Sequence, residues 1–189
     1  MNTPRGRPSG DAEARFRELY ETTYDDLMRF AQRRVDRSCV EDLVAETMLV
    51  AWRRFDQLPP ERGDARAWLF GIARNLLLNT HRGERRRGAL EVRIAETALT
   101  RAPTDDAEVV ARRVDLSRAW RRLSPQHQET LALAVWDNLT SAEAAIVLGI
   151  SPVAYRLRLS RARRALRVLA DHLAEPAVVT GGATERSRS

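Results

Sequence analysis

The chain contains no lysine: all 32 of its basic residues are arginine, set against 26 acidic ones, for a formal charge of +6. Arginine-only usage is a mark of a GC-rich genome, but it has a physical consequence as well. The guanidinium is a planar fork that fits phosphates and guanine edges and keeps its charge when partly desolvated, so a polyanion is the expected partner. Cysteine is reduced to Cys39. That excludes an internal disulfide and any multi-cysteine zinc site built by this chain alone, and it suits a reducing cytosol. No stretch reaches the roughly 18 continuous apolar residues needed to span a bilayer. The N-terminus also lacks the apolar segment of a signal peptide, so a cytoplasmic protein without membrane insertion is expected. Material for catalysis is equally thin. His81, His127 and His172 are scattered, no glycine-rich phosphate loop occurs, and Cys39 lies in no nucleophile motif. No catalytic residue, metal site, cofactor or small-molecule substrate is therefore expected. Strand patterns and internal repeats are missing too.

Helical periodicity is what the chain does have. Residues 1–10 carry Pro4, Pro8, Gly6 and Gly10 without apolar periodicity and read as a disordered arm. From Asp11, the apolar residues Phe16, Leu19, Tyr20, Leu27, Phe30, Ala31 and Val35 recur at helical spacing. Ser38 with Glu41 has the form of a capping box, followed by Val40, Leu43, Val44, Thr47, Met48, Ala51 and Phe55, with an end before Pro59 and Pro60. Asp64 is placed to cap a third helix with an inward stripe of Ala65, Leu69, Ile72, Ala73, Leu76 and Thr80. The pattern then fails, and 88–105 reads as a linker. A fourth helix is expected from about Asp106 to Arg122, and Ser124 with Pro125 opens a fifth. Thr140 and Glu143 form another capping box, on a short helix that ends at a left-handed Gly149. Ser151 and Pro152 open the last helix, and 174–189 reads as a disordered tail. The expected fold class is all-α, with two small helical domains at 11–87 and 106–173 joined by a flexible linker.

A short capped helix, a glycine turn and a longer arginine-rich helix match a helix-turn-helix running from Thr140 to about Arg167. In the last helix, Tyr155, Leu159, Ala162, Leu166 and Leu169 fall on one side. Rotation of about 100° per residue puts Val153, Leu157, Ser160 and Arg164 opposite, with Arg156 and Arg161 flanking them. Between Arg156 and Arg167 there are six arginines and no acid. Phosphate neutralisation accounts for such an imbalance. A basic amphipathic helix packed on a partner or membrane surface is the other reading of this helix alone, and the turn before it favours DNA.

The third helix carries a different surface. Trp68, Asn75 and Asn79 share one flank, and Arg74, Arg82 and Arg85 lie further round toward solvent. A ring for stacking, amides for an exposed base edge and arginine forks are the parts needed to hold an unpaired base. The same residues also have a plain reading, with Trp68 completing the core and Arg85 to Arg87 answering the helix dipole.

These residues resemble the bacterial sigma factors, in the compact two-domain group called extracytoplasmic-function sigma factors. The first matching stretch includes Glu41-Asp42-Leu43-Val44-Ala45-Glu46-Thr47, Ala51-Trp52 and Trp68-Leu69-Phe70-Gly71-Ile72-Ala73-Arg74-Asn75. The second includes Leu123-Ser124-Pro125, Glu143-Ala144-Ala145, Leu148-Gly149-Ile150-Ser151 and Arg161-Ala162-Arg163-Arg164-Ala165-Leu166. The resemblance implies a region 2-like domain followed by a region 4-like domain, and a function in promoter recognition and strand opening. It implies that Asp42, Glu46, Thr47, Leu49 and Trp52 dock on the clamp coiled coil of RNA polymerase core, with the flap as a further contact. It implies that Arg66, Trp68, Arg74, Asn75, Asn79, Arg82 and Arg85 face minus-10 DNA. It assigns minus-35 DNA to Ser151, Val153, Arg156, Leu157, Arg158, Ser160, Arg161 and Arg164. An anti-sigma factor is a further implied partner. The family usually has Thr then Val where this chain has Ala154 and Tyr155, a small polar residue in place of Leu157, and Phe in place of Met48. A stand-alone helix-turn-helix regulator acting as a dimer is the competing expectation.

Overall fold

The computed structural model describes residues 10–80 and 107–174, all of whose regular structure is helical. Seven α-helices follow in order: α1 Gly10–Gln32, α2 Val40–Arg53, α3 Arg62–Thr80, α4 Ala107–Arg122, α5 Pro125–Val135, α6 Ser141–Leu148 and α7 Pro152–Ala174. Short 3-10 turns at Arg37–Cys39 and Phe55–Gln57 flank α2. The expected linker at 88–105, Arg82, Arg85 and nearly all of the two terminal arms lie outside the described residues.

Local chemistry explains most of the boundaries. The Ser124 side chain accepts from the His127 N–H at 3.3 Å, and Pro125 fills the first helical position of α5. In α6 both halves of the capping box form: the Thr140 N–H donates to Glu143 at 2.7 Å, and the Glu143 N–H donates to the Thr140 hydroxyl at 3.3 Å. Gly149 ends that helix at φ +65°, a left-handed conformation that costs a side chain with Cβ about 1–2 kcal/mol. The Ser151 hydroxyl then accepts from the Ala154 N–H at 3.2 Å.

Two expected caps do not form. Ser38 lies inside the 3-10 turn, its hydroxyl rests beside the Cys39 sulfur at 3.8 Å, and Cys39 enters α2 without a side-chain cap. A residue already in helical conformation cannot take the extended backbone from which an N-cap oxygen reaches forward. The third helix begins two residues before Asp64, with the Ala65 N–H bonded to the Glu61 carbonyl at 2.8 Å, so Asp64 complements the dipole from the first turn.

Helices α1, α2 and α3 pack around Leu27, Phe30, Leu43, Val44, Leu69 and Phe70, and the Phe30 and Phe70 rings stack at 4.8 Å. In the C-terminal half, Trp120 and Trp136 meet edge-on at 4.7 Å over Leu131, Ala132 and Ala162. The two halves do not stand apart. The largest helix–helix contact joins α3 to α6, and Leu133, Leu139, Ala144, Val147 and Tyr155 belong to the same apolar cluster as the N-terminal core. Helix α3 is consequently covered on more than the one expected stripe. Ala67, Phe70 and Leu77 are buried in it, whereas the expected Leu76 is only half-buried. A helix held between α1 and α2 on one side and α6 on another has no single apolar face for periodicity to find.

Candidate nucleic-acid interface

On α7, the inward and outward faces separate as the spacing requires. Tyr155 and Ala162 are buried, and the Tyr155 hydroxyl donates to the Thr130 carbonyl at 3.0 Å. Burial pushes this phenol up to about 12. Opposite, Val153 and Leu157 are 56% and 54% exposed, large apolar side chains left in water beside arginines. Ser151, Arg156, Ser160, Arg161 and Arg164 share that exposure, and Arg158 is half-buried. Among the described residues no acidic side chain pairs with Arg156, Arg161 or Arg164. Clustered cations without counter-charges raise the local potential and reward a phosphate backbone that neutralises them.

On α2, Asp42, Glu46 and Leu49 are exposed, with Leu49 at 47%. Trp52 is half-buried and meets the Phe16 ring at 4.9 Å and the Phe55 ring at 6.0 Å, which fixes its indole at the edge of this face. Thr47 departs from expectation. It is fully buried, and its hydroxyl donates to the Leu43 carbonyl at 2.7 Å inside its own helix. It lies on the core side of α2, away from Asp42 and Glu46.

The α3 surface is divided. Asn75 and Asn79 are exposed, and Trp68 is half-buried, packed on the core while lining a cleft with Gly71, Ile72, Asn75, the end of α6 from Ile146 to Leu148, and Gly149. Arg66 donates to Asp26 at 2.7 Å and to the Asp137 carbonyl at 2.7 Å. Arg74 grips Glu129 with two hydrogen bonds, of 2.7 and 3.1 Å. These two expected DNA contacts are thus engaged with the C-terminal half.

Four residues at this junction were not legible as a site. Arg33 and Arg34, just beyond α1, converge on the Asp137 carboxylate at 2.5 and 2.8 Å, and both Arg34 and Asp137 are buried. Burial pulls the Arg34 guanidinium below its ordinary value, while the adjoining Asp137 opposes that fall. Glu129 is the fourth, 3% exposed on α5. Its one sequence mark is a charge at helical spacing from the apolar Ala132 and Leu133. Asn138, next to Asp137, takes a left-handed φ of 49°. No group of three potential metal ligands occurs, and no helix is long and apolar enough to cross a membrane, among the described residues.

Comparison with known proteins finds two matching segments in the chain. Residues 19–87 match Sigma-70 region 2 and residues 113–166 match Sigma-70, region 4. The chain is 30% identical over 171 residues to the ECF RNA polymerase sigma factor SigL of Mycobacterium tuberculosis, covering 88% of this chain and 97% of SigL. It is 36% identical over 169 residues to the ECF RNA polymerase sigma factor BldN of Streptomyces coelicolor, covering 86% of this chain and 63% of BldN. Its fold is similar to that of CnrH, solved in complex with the cytosolic domain of CnrY, with TM-score 0.58, 25% identity, and coverage of 85% of this chain and 90% of that one. With two family segments in order, and near-complete alignment to SigL, this chain belongs to the sigma-70 family of RNA polymerase sigma factors, in its extracytoplasmic-function group.

Proposed function

We propose that the chain binds core RNA polymerase, places it on promoters with separate minus-10 and minus-35 elements, and promotes strand opening by holding unpaired minus-10 bases. It performs no covalent chemistry itself and works in the cytoplasm, where polymerase and promoter are. The observation that carries this reading is the unpaired arginine face of α7 on a helix-turn-helix, in one chain with the acidic face of α2 and the Trp68 and Asn75 flank of α3. Asp42, Glu46, Leu49 and Trp52 form the polymerase-facing edge, where acidic side chains steer toward a basic partner. Arg156, Leu157, Ser160, Arg161 and Arg164 face the major groove of the minus-35 element, with Ser151, Val153 and Arg158 at its margins. Arg66, Trp68, Arg74, Asn75 and Asn79, together with Arg82 and Arg85, serve the minus-10 element.

An anti-sigma factor is a further proposed partner, since CnrH was solved with CnrY and the sigma factor RpoE of Bartonella quintana with the anti-sigma factor NepR. Reconstituted transcription tests the main reading. Core polymerase plus this chain is expected to initiate from promoters mapped by the 5′ ends of transcripts that depend on it in the cell. A chain that neither binds core nor supports initiation sinks the reading.

A further inference from the structure

The outward face of α7 is apolar along its first turns and charged at its sides. Val153 and Leu157 stand four residues apart, 56% and 54% exposed, and among the described residues neither packs into the apolar clusters of the fold. Single exposed apolar side chains are ordinary on a protein surface. Here two lie on one line, with Arg156 and Arg161 beside them and no acidic side chain paired to either arginine among the described residues. The rotation of the helix is fixed from behind. Ala162 and Tyr155 are buried, and the Tyr155 hydroxyl donates to the Thr130 carbonyl at 3.0 Å, which holds Val153 and Leu157 outward. The start is fixed too, since the Ser151 hydroxyl accepts from the Ala154 N–H at 3.2 Å.

In the major groove the C5-methyl of thymine is the apolar group on a base edge, whereas guanine, adenine and cytosine present hydrogen-bonding atoms there. Valine and leucine carry no side-chain donor or acceptor. Facing a polar edge, they strip its water without replacing the bond; facing a methyl, they remove two apolar surfaces from water together. We infer that Val153 and Leu157 read thymine methyl groups, so that the minus-35 element of this chain carries T·A pairs at two positions. This inference deepens the minus-35 reading proposed above and rests on it. The two thymines lie one or two base steps apart, on either strand, because four helical residues rise about 6 Å against about 3.4 Å per base pair. Phosphate contacts by arginine position a helix without choosing a base, so selectivity at these two positions falls to Val153 and Leu157.

The test uses holoenzyme assembled from core polymerase and the full chain. Selection from promoter duplexes randomised across the minus-35 element is expected to enrich thymine at two positions one or two steps apart. Replacing either selected thymine by uracil removes the methyl and keeps the pairing edge. Each replacement should weaken binding about fourfold, the worth of one buried methylene-sized group. Leu157→Ser should become indifferent to uracil at one position and Val153→Ser at the other, each keeping the penalty at the remaining position. Selection without thymine, or equal affinity for thymine and uracil in the unaltered chain, overturns the inference. A penalty that persists undiminished in both serine variants also overturns it, since the methyls are then read elsewhere. So does an equal penalty for uracil at every thymine of the element, which would report duplex shape. The uracil arm leaves the protein untouched, so its result stands whether or not a serine variant folds. Failure to bind core polymerase sinks the function proposed above instead, and the same selection with the full chain on free duplex then judges the methyl reading. Absence of duplex binding there overturns both.

Discussion

The Tyr155 hydroxyl donates to the backbone carbonyl of Thr130 at 3.0 Å, tying the second turn of α7 to the middle of α5. This position is one of the chain's departures from the usual family pattern, and the structure puts it in the core, 1% exposed. Leu157, another departure, is 54% exposed on the outward face. The change at Tyr155 therefore concerns packing, whereas the change at Leu157 concerns what the helix meets in the groove. Tyr155→Phe is expected to cost about 1 kcal/mol in denaturant unfolding, the net worth of one buried hydrogen bond. It should leave minus-35 duplex affinity within about twofold once the fold is formed.

The same phenol gives a pH signature. Its pKa is raised from 10.0 to about 12 in the folded chain, so the fold favours the protonated form. Its contribution is complete below the unfolded value and is lost as pH climbs through the folded one. Thermal melts across this alkaline window should show stability falling more steeply for the unaltered chain than for Tyr155→Phe. Parallel curves would show that the hydroxyl does not titrate with unfolding.

Gly149→Ala should destabilise the chain by about 1–2 kcal/mol. A Cβ at this site meets no atom within 4 Å, so the cost is that of the left-handed φ of +65° alone. Gly149→Asn should cost less, since Asn tolerates that region. A calorimetric scan is expected to rank glycine above asparagine above alanine, with shifts of about 2–4 °C per kcal/mol.

On α2, Glu46→Arg should weaken binding to core polymerase by roughly tenfold with little change in melting temperature, because the side chain is exposed. Thr47→Val should behave oppositely. Its hydroxyl bonds only within the helix, so polymerase affinity should stay unchanged while stability moves by about 1 kcal/mol or less. Equal losses of affinity in both variants would place Thr47 back among the docking residues.

Asn75→Ala and Arg156→Ala should separate two promoter functions. The first removes an exposed amide on α3 and is expected to slow open-complex formation, read by permanganate reactivity of unpaired thymines. The second removes an unpaired cation from α7 and is expected to weaken duplex recruitment by about 1–3 kcal/mol, read by mobility shift of the holoenzyme. Equal effects on both assays would dissolve this division.

Much of the C-terminal half was legible because its signals are local. Thr140 and Glu143, Gly149, and Ser151 with Pro152 act over three or four residues, and the structure forms each as expected. The α7 face was legible for the same reason, since one rotation per 3.6 residues sorts Tyr155 from Leu157. Ser38 and Asp64 failed as caps because neighbouring turns took the backbone into helical geometry before them. Thr47 falls on the apolar stripe that its spacing indicated, and the resemblance that named it as a docking residue carries no information on its burial or on the bond its hydroxyl makes to the Leu43 carbonyl.

By itself, the sequence determined the all-helical class, the order of the two family segments and the helix-turn-helix. These follow from capping chemistry, periodicity and composition, each complete within a few consecutive residues. Only the tertiary structure decided how the halves meet. Arg74 on Glu129, and Arg33 and Arg34 on Asp137, join residues 55, 104 and 103 positions apart. No local pattern encodes such pairs. A buried charge is tolerated only beside its partner, and those partners meet where the N-terminal half packs against the C-terminal half, α3 on α6 above all.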